Sequence, residues 1–140
     1  MGYFGHPVAP MTLRNARFIV VLVGILLPYA VRLPRGIEWL RQYTDTSPGG
    51  WLFFAAFNAI AWGAILAMSF MYRRPVSLVA PCVLGFGFLA WAHATLDLRA
   101  DAQSAIALVF IPIYALVPIA LGGVMGYVVD RRMRRYSQTG

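Results

Sequence analysis

An all-α integral membrane protein with four transmembrane helices is the fold class this sequence predicts, and three observations carry that expectation. Four apolar runs, Phe18–Val31, Trp51–Tyr72, Val76–Leu96 and Ala105–Val129, fill well over half of the 140 residues. A helix of about 20 apolar residues is what roughly 30 Å of hydrocarbon requires. Hydrophobic residues make up 60% of the chain and charged residues 12%, against about 25% charged in an ordinary soluble domain. All 12 basic residues are arginine, and they stand at the ends of the apolar runs, where topology signals and headgroup anchors belong. The net charge of +7 therefore points to a lipid bilayer with anionic headgroups on its cytoplasmic side. It does not point to nucleic acid, which would want the arginines on one face of a polar domain.

The first helix is expected over about residues 14–33. Its apolar core of 14 residues gives only about 21 Å of helix. It spans if Arg17 and Arg32 stretch their stems towards the headgroups and Leu13 and Leu33 join the helix. Arg14, Arg17 and the short apolar stretch have the shape of a signal peptide. Pro28 to Pro34, however, offers no pair of small residues spaced for cleavage, so an uncleaved anchor is expected. Residues 1–12 read as a flexible tail, with Met1 and Met11 both open as the natural start.

An outer loop follows over 34–50. Within it Ile37, Trp39, Leu40 and Tyr43 lie close to helical spacing, which predicts a short interfacial helix after Pro34, ended by Ser47-Pro48-Gly49-Gly50. The second helix covers 51–72, with Trp51 and Tyr72 as interfacial rings at its ends. Arg73-Arg74-Pro75 forces a tight return into the third helix, 76–97, which carries Pro81. The fourth, 103–129, is long enough to need tilt or kinks, which Pro112 and Pro118 offer. A basic tail, 130–140, closes a single membrane domain with no internal repeat.

Counting arginines in the connections orients the chain. Arg14, Arg17, Arg73, Arg74, Arg131, Arg132, Arg134 and Arg135 fall on one side, and Arg32, Arg35, Arg41 and Arg99 on the other. Glu38, Asp45, Asp97 and Asp101 share that second side. The arginine-rich side is expected in the cytoplasm, with both termini, in an up-down bundle. Within such a bundle helices approach through small residues. Ala55, Ala59, Gly63 and Ala67 recur every fourth position of the second helix, and Gly122 and Gly126 do so in the fourth. The second helix is accordingly expected at the centre, its small face against a neighbour from the same chain or a second copy.

Polar groups inside a bilayer are expensive, so each is a candidate for function. Tyr29, Asn58 and His93 come from three different helices at similar depth in the outer half, and Asp97 follows His93 at i+4. Such a cluster could take a proton, a small polar ligand or a partner's peptide group, with Asp97 orienting the imidazole. Equally, Asn58 and His93 could be interhelical glue worth about 0.6 kcal/mol per bond, with Asp97 a solvated helix end. Two metal ligands could come from His93 and Asp97, but a third is lacking. Asp101 stands about 12 Å further along a continuous helix and Cys82 about 16 Å the other way. A bis-histidine haem fails because His6 lies in the tail on the opposite side. The lone Cys82 reads as a small hydrophobe. Pro112 and Pro118 weaken the hydrogen bonds of the Leu108 and Tyr114 carbonyls, which broken-helix transporters use for cations, but simple kinks suffice. No nucleophile–histidine pair or phosphate loop suggests catalysis, and no cofactor is implied. The expectation is a non-enzymatic inner-membrane protein, an accessory, assembly or immunity-type partner of other membrane proteins or of itself. The alternative is a small oligomeric transporter or channel built on the polar cluster and the fourth helix.

Overall fold

The computed structural model describes residues 9–138, and within them the protein is helical without a strand. The expected tail at residues 1–8, His6 included, and the last two residues of the basic tail lie outside the described residues. Helix α1, Leu13–Arg32, begins where the Thr12 side chain accepts a hydrogen bond from the Asn15 N–H at 3.2 Å, a standard N-cap. A 3₁₀ turn, Leu33–Arg35, and Gly36 at φ 107° separate it from α2, Ile37–Thr44. That φ lies in the region a side chain disfavours, which explains glycine at this joint. Helix α3, Pro48–Ser69, is capped by Ser47 and starts on a proline at its first position. A second 3₁₀ turn, Pro75–Leu78, leads into α4, Val79–Thr95. Helix α5, Ser104–Tyr136, is 33 residues long, about 50 Å.

Four segments are long and apolar enough to cross a membrane: Leu13–Arg35, Pro48–Ser69, Pro75–Thr95 and Ser104–Tyr136. Their outward faces carry Phe18, Leu52, Val83, Val117, Val124 and many more large apolar side chains. A water-soluble protein does not expose such a continuous apolar belt. This is a multi-pass membrane protein.

Several boundaries differ from the sequence reading, and α3 ends at Ser69 rather than at 72. A short helix forms at 37–44 as expected, but α3 begins at Pro48, within what reads as the loop end, because Ser47 and Pro48 are start signals as much as turn signals. Helix α4 stops at Thr95 and Leu96 turns extended (ψ 110°), two residues short of Asp97. The basic segment after Asp130 continues α5 as helix through Tyr136. Nor do Pro112 and Pro118 break α5, which runs through both.

The core is a narrow layer of Ala61, Ile65, Leu89, Ala115 and Ile119, all fully buried. Around it the backbones come close. A Cβ added at Gly122 would meet the Pro81 Cα at 2.5 Å, and one at Gly85 would meet the Ile119 side chain at 2.5 Å. At Gly126 the Ser77 carbonyl occupies that space, and at Gly24 the Trp62 side chain does. Helices α4 and α5 thus run antiparallel with Gly122 and Gly126 at their seam, and α1 and α3 run antiparallel through Gly24.

The expected small-residue groove of α3 is not where the helix packs. Its buried positions are Asn58, Ala61, Ile65 and Ser69. Ala55, Ala59 and Gly63 are half-buried, Ala67 is exposed, and nothing comes within 4 Å of a Cβ at Gly63. In α3 the series starts at the edge of the packed face, whereas α1, covered by both α3 and α4, keeps an every-fourth series buried. Four residues advance about 40° past a full turn, so a strict every-fourth pattern winds about 120° round the helix over its length. It begins beside the core at Ala55 and ends on the outside at Ala67. The buried set, with one three-residue step, stays on one face.

Candidate functional site

The contacts divide the molecule into two ends. At one lie Arg17, Ser69, Tyr72, Ser77 and Asp130; at the other lie Tyr29, Arg32, α2, Trp51 and His93.

Three of the four candidate polar residues gather at the second end. The Trp51 indole N–H donates to the Tyr29 hydroxyl at 2.6 Å, tying the end of α1 to the start of α3. The Asn58 amide N–H donates to the Gly24 carbonyl at 2.8 Å, while its own Oδ1 is buried without a protein partner. Tyr29 and Asn58 border a cavity of about 340 Å³, walled by Ile25, Tyr43, Trp51 and Trp62. His93 is buried beside it, its ring edge-on to Tyr43 at 5.6 Å between centroids. Tyr43 in turn meets Tyr29 edge-on at 5.4 Å. Tyr43 of α2 is therefore the hinge-pin of the cluster, 4% exposed. Burial, with Tyr29 beside it, pushes its phenol up to about 12, against a smaller opposing pull from Arg32.

Asp97 does not orient His93. The helix that would have set it one turn beyond the imidazole has ended, and the carboxylate turns forward to accept the Arg99 N–H at 3.0 Å. Asp101 likewise caps α5, accepting the Gln103 and Ser104 N–H groups at 2.8 Å each. Both acids satisfy backbone donors that a chain turning between two spans would leave orphaned. Cys82 is half-buried in an apolar groove between α1 and α4, beside Ala16, Val20 and Leu78.

Arg32 is what the sequence reading placed wrongly. Rather than reaching out to the headgroups, its side chain is fully buried. It donates one hydrogen bond, from Nη2 to the Leu96 carbonyl at 3.3 Å. Its Cζ lies 5.9 Å from the Trp39 ring centroid and 5.6 Å from that of Tyr43, within reach of cation–π attraction. Arg35 stacks on the Trp39 ring at 4.2 Å and donates to the Ala94 carbonyl. The signal was present: Val20, Gly24, Pro28 and Arg32 form one i+4 series on the buried face of α1.

The same signal marks Asp130 at the other end, read from sequence only as the stop of the fourth helix. It continues the buried series Ile119, Gly122, Gly126 and is itself fully buried. Its Oδ1 accepts the backbone N–H groups of Arg73 and Arg74 at 3.1 Å each and the Ser77 hydroxyl at 3.0 Å; its Oδ2 pairs with Arg134 at 2.5 Å. One carboxylate thus closes the Arg73-Arg74-Pro75 return. Tyr72 donates to the Gly123 carbonyl at 2.8 Å, and burial followed by the nearby Asp130 pushes its phenol up. Arg17 donates to the Ser69 hydroxyl at 2.9 Å and carbonyl at 3.2 Å and lies 4.2 Å from the Phe70 ring. Of the arginines read as headgroup anchors, Arg134 is held by Asp130 and Arg74 donates to Ser137, whereas Arg73, Arg131 and Arg132 are exposed.

Comparison with protein-family models, with curated proteins and with solved structures finds no match to this chain.

Proposed function

We propose that this chain is a non-enzymatic protein of a bacterial inner membrane, with both termini in the cytoplasm, that serves as an accessory, assembly or immunity-type partner of another membrane protein. One observation carries the reading: polar groups from three of its spans bind its own backbone, and those left without a partner are buried. Asn58 holds Gly24, Arg17 holds Ser69, and Asp130 holds Arg73 and Arg74. What remains for the surroundings is the apolar lateral surface of four helices, with the small residues Gly63 and Ala67 uncovered on α3, and the exposed face of α2. Close approach of a partner helix favours small residues. The eight-to-four division of arginines supports the orientation.

The cavity bordered by Tyr29 and Asn58 favours the alternative, a small oligomeric transporter or channel. Flux through reconstituted liposomes separates the two. The accessory reading expects ion and solute leakage equal to that of protein-free vesicles. Flux that disappears on Asn58→Leu or His93→Leu at unchanged reconstitution would overturn it. A photo-reactive side chain at the exposed Ala67 in native membranes should give a discrete protein adduct.

A further inference from the structure

The most costly feature of this fold is Arg32. A fully buried guanidinium normally faces a carboxylate, because the desolvation of the cation has to be offset. Here none comes within 4.0 Å among the described residues, and Asp97, on the adjoining loop, is engaged with the Arg99 N–H. Nε and Nη1 of Arg32 are both buried without a protein partner, and so are Nε1 of Trp39 and Nδ1 of His93. Arg32 and His93 share one neighbouring ring: the Arg32 Cζ and the His93 ring centroid each lie 5.6 Å from the Tyr43 centroid. The Trp39 ring lies 5.9 Å from the same Arg32 Cζ. Arg32 and Trp39 can act only as donors, and neutral imidazole donates from whichever nitrogen carries its proton. One small end of the molecule therefore concentrates unused donors and a positive charge, with no carboxylate within 4.0 Å of Arg32.

We infer that Arg32, Trp39 and His93 form a binding site for an oxyanion of the phosphate class, either the phosphodiester of a lipid headgroup or free phosphate. A tetrahedral anion accepts hydrogen bonds from several directions at once, as donors from α1, α2 and α4 require, and guanidinium is the side chain best suited to it. The place is right for a headgroup. Arg32 ends the first span, and α2 lies across that end with Ile37 exposed. The donors lie where α2 meets the ends of α1 and α4. Binding supplies the missing negative charge and clamps α2 against α1 and α4.

The test uses the full chain purified in a neutral detergent and delipidated. Native mass spectrometry after adding phosphatidylglycerol reads the lipid source. A thermal-unfolding titration with inorganic phosphate, against sodium chloride at equal ionic strength, reads the free anion. The inference expects one retained phosphatidylglycerol per chain, or a phosphate-dependent rise of several degrees in the unfolding midpoint. Lipid retention without the phosphate shift assigns the headgroup; the shift alone assigns the soluble anion. Trp39→Phe, which removes one donor and keeps an aromatic ring, should weaken binding about tenfold, and Arg32→Met should abolish it. Arg99→Met, at an exposed arginine of the same end, should leave it unchanged. Wild-type protein that shows neither retention nor shift overturns the inference without any variant, as does binding undiminished by Trp39→Phe.

Discussion

Two side chains, Arg32 and Asp130, are charged and wholly buried, and they are buried in opposite ways. Asp130 has three donors on one oxygen and an arginine on the other. Asp130→Ala leaves two backbone N–H groups and a hydroxyl without an acceptor, and it should lower unfolding stability by about 3 kcal/mol or more. Asp130→Asn, which keeps an acceptor but no charge, should lose roughly half as much. Thermal unfolding in detergent measures both, with Asp45→Asn, at an exposed loop position, as the unaffected control. Tyr43 makes a second residue-scale prediction. Its phenol ionises near 12 in the folded protein rather than at the usual 10, so the folded state holds a proton the unfolded state has released. The stability that this proton carries is intact below pH 10 and is lost as pH rises towards 12. The alkaline fall in unfolding midpoint should be shallower in Tyr43→Phe.

At the scale of elements, the seam between α4 and α5 is fixed by backbone proximity and the outer face of α3 is not. Gly122→Leu drives a side chain into the backbone at Pro81, where nothing can move aside, and should cost about 3 kcal/mol. Gly63→Leu meets open space and should change the unfolding of the isolated chain by less than about 0.5 kcal/mol. If α3 serves a partner, the same substitution should remove the adduct formed from the Ala67 probe in native membranes while the protein still folds. Both spacings look alike on paper, yet only one is a seam. The small residues of α5 coincide with its buried face, whereas the every-fourth series of α3 winds off its own.

The whole molecule is a set of apolar spans with its charges drawn to two ends. One end is closed by Asp130, and the other is capped by α2 over an arginine with no carboxylate within 4.0 Å. The orientation rests on the whole chain, because eight arginines against four is a sum over all connections. A reporter active only outside the cytosol should stay silent when fused at the C-terminus and switch on when inserted beside Asp45. The opposite result inverts both ends.

Read alone, the sequence determined the number of apolar spans, their approximate limits and the short helix at 37–44. All of these follow from hydropathy, turn residues and the length a bilayer demands, which are local properties. Tertiary structure decided which polar residues matter. Asp97 left the His93 cluster because α4 ended two residues early to let Asp97 cap a turn. Arg32 and Asp130 turned inward because each extends a buried stripe by one further helical turn. Whether a charge at a span's end reaches out to the headgroups or folds back into the protein depends on what lies opposite. That partner is set by packing between segments distant in the chain.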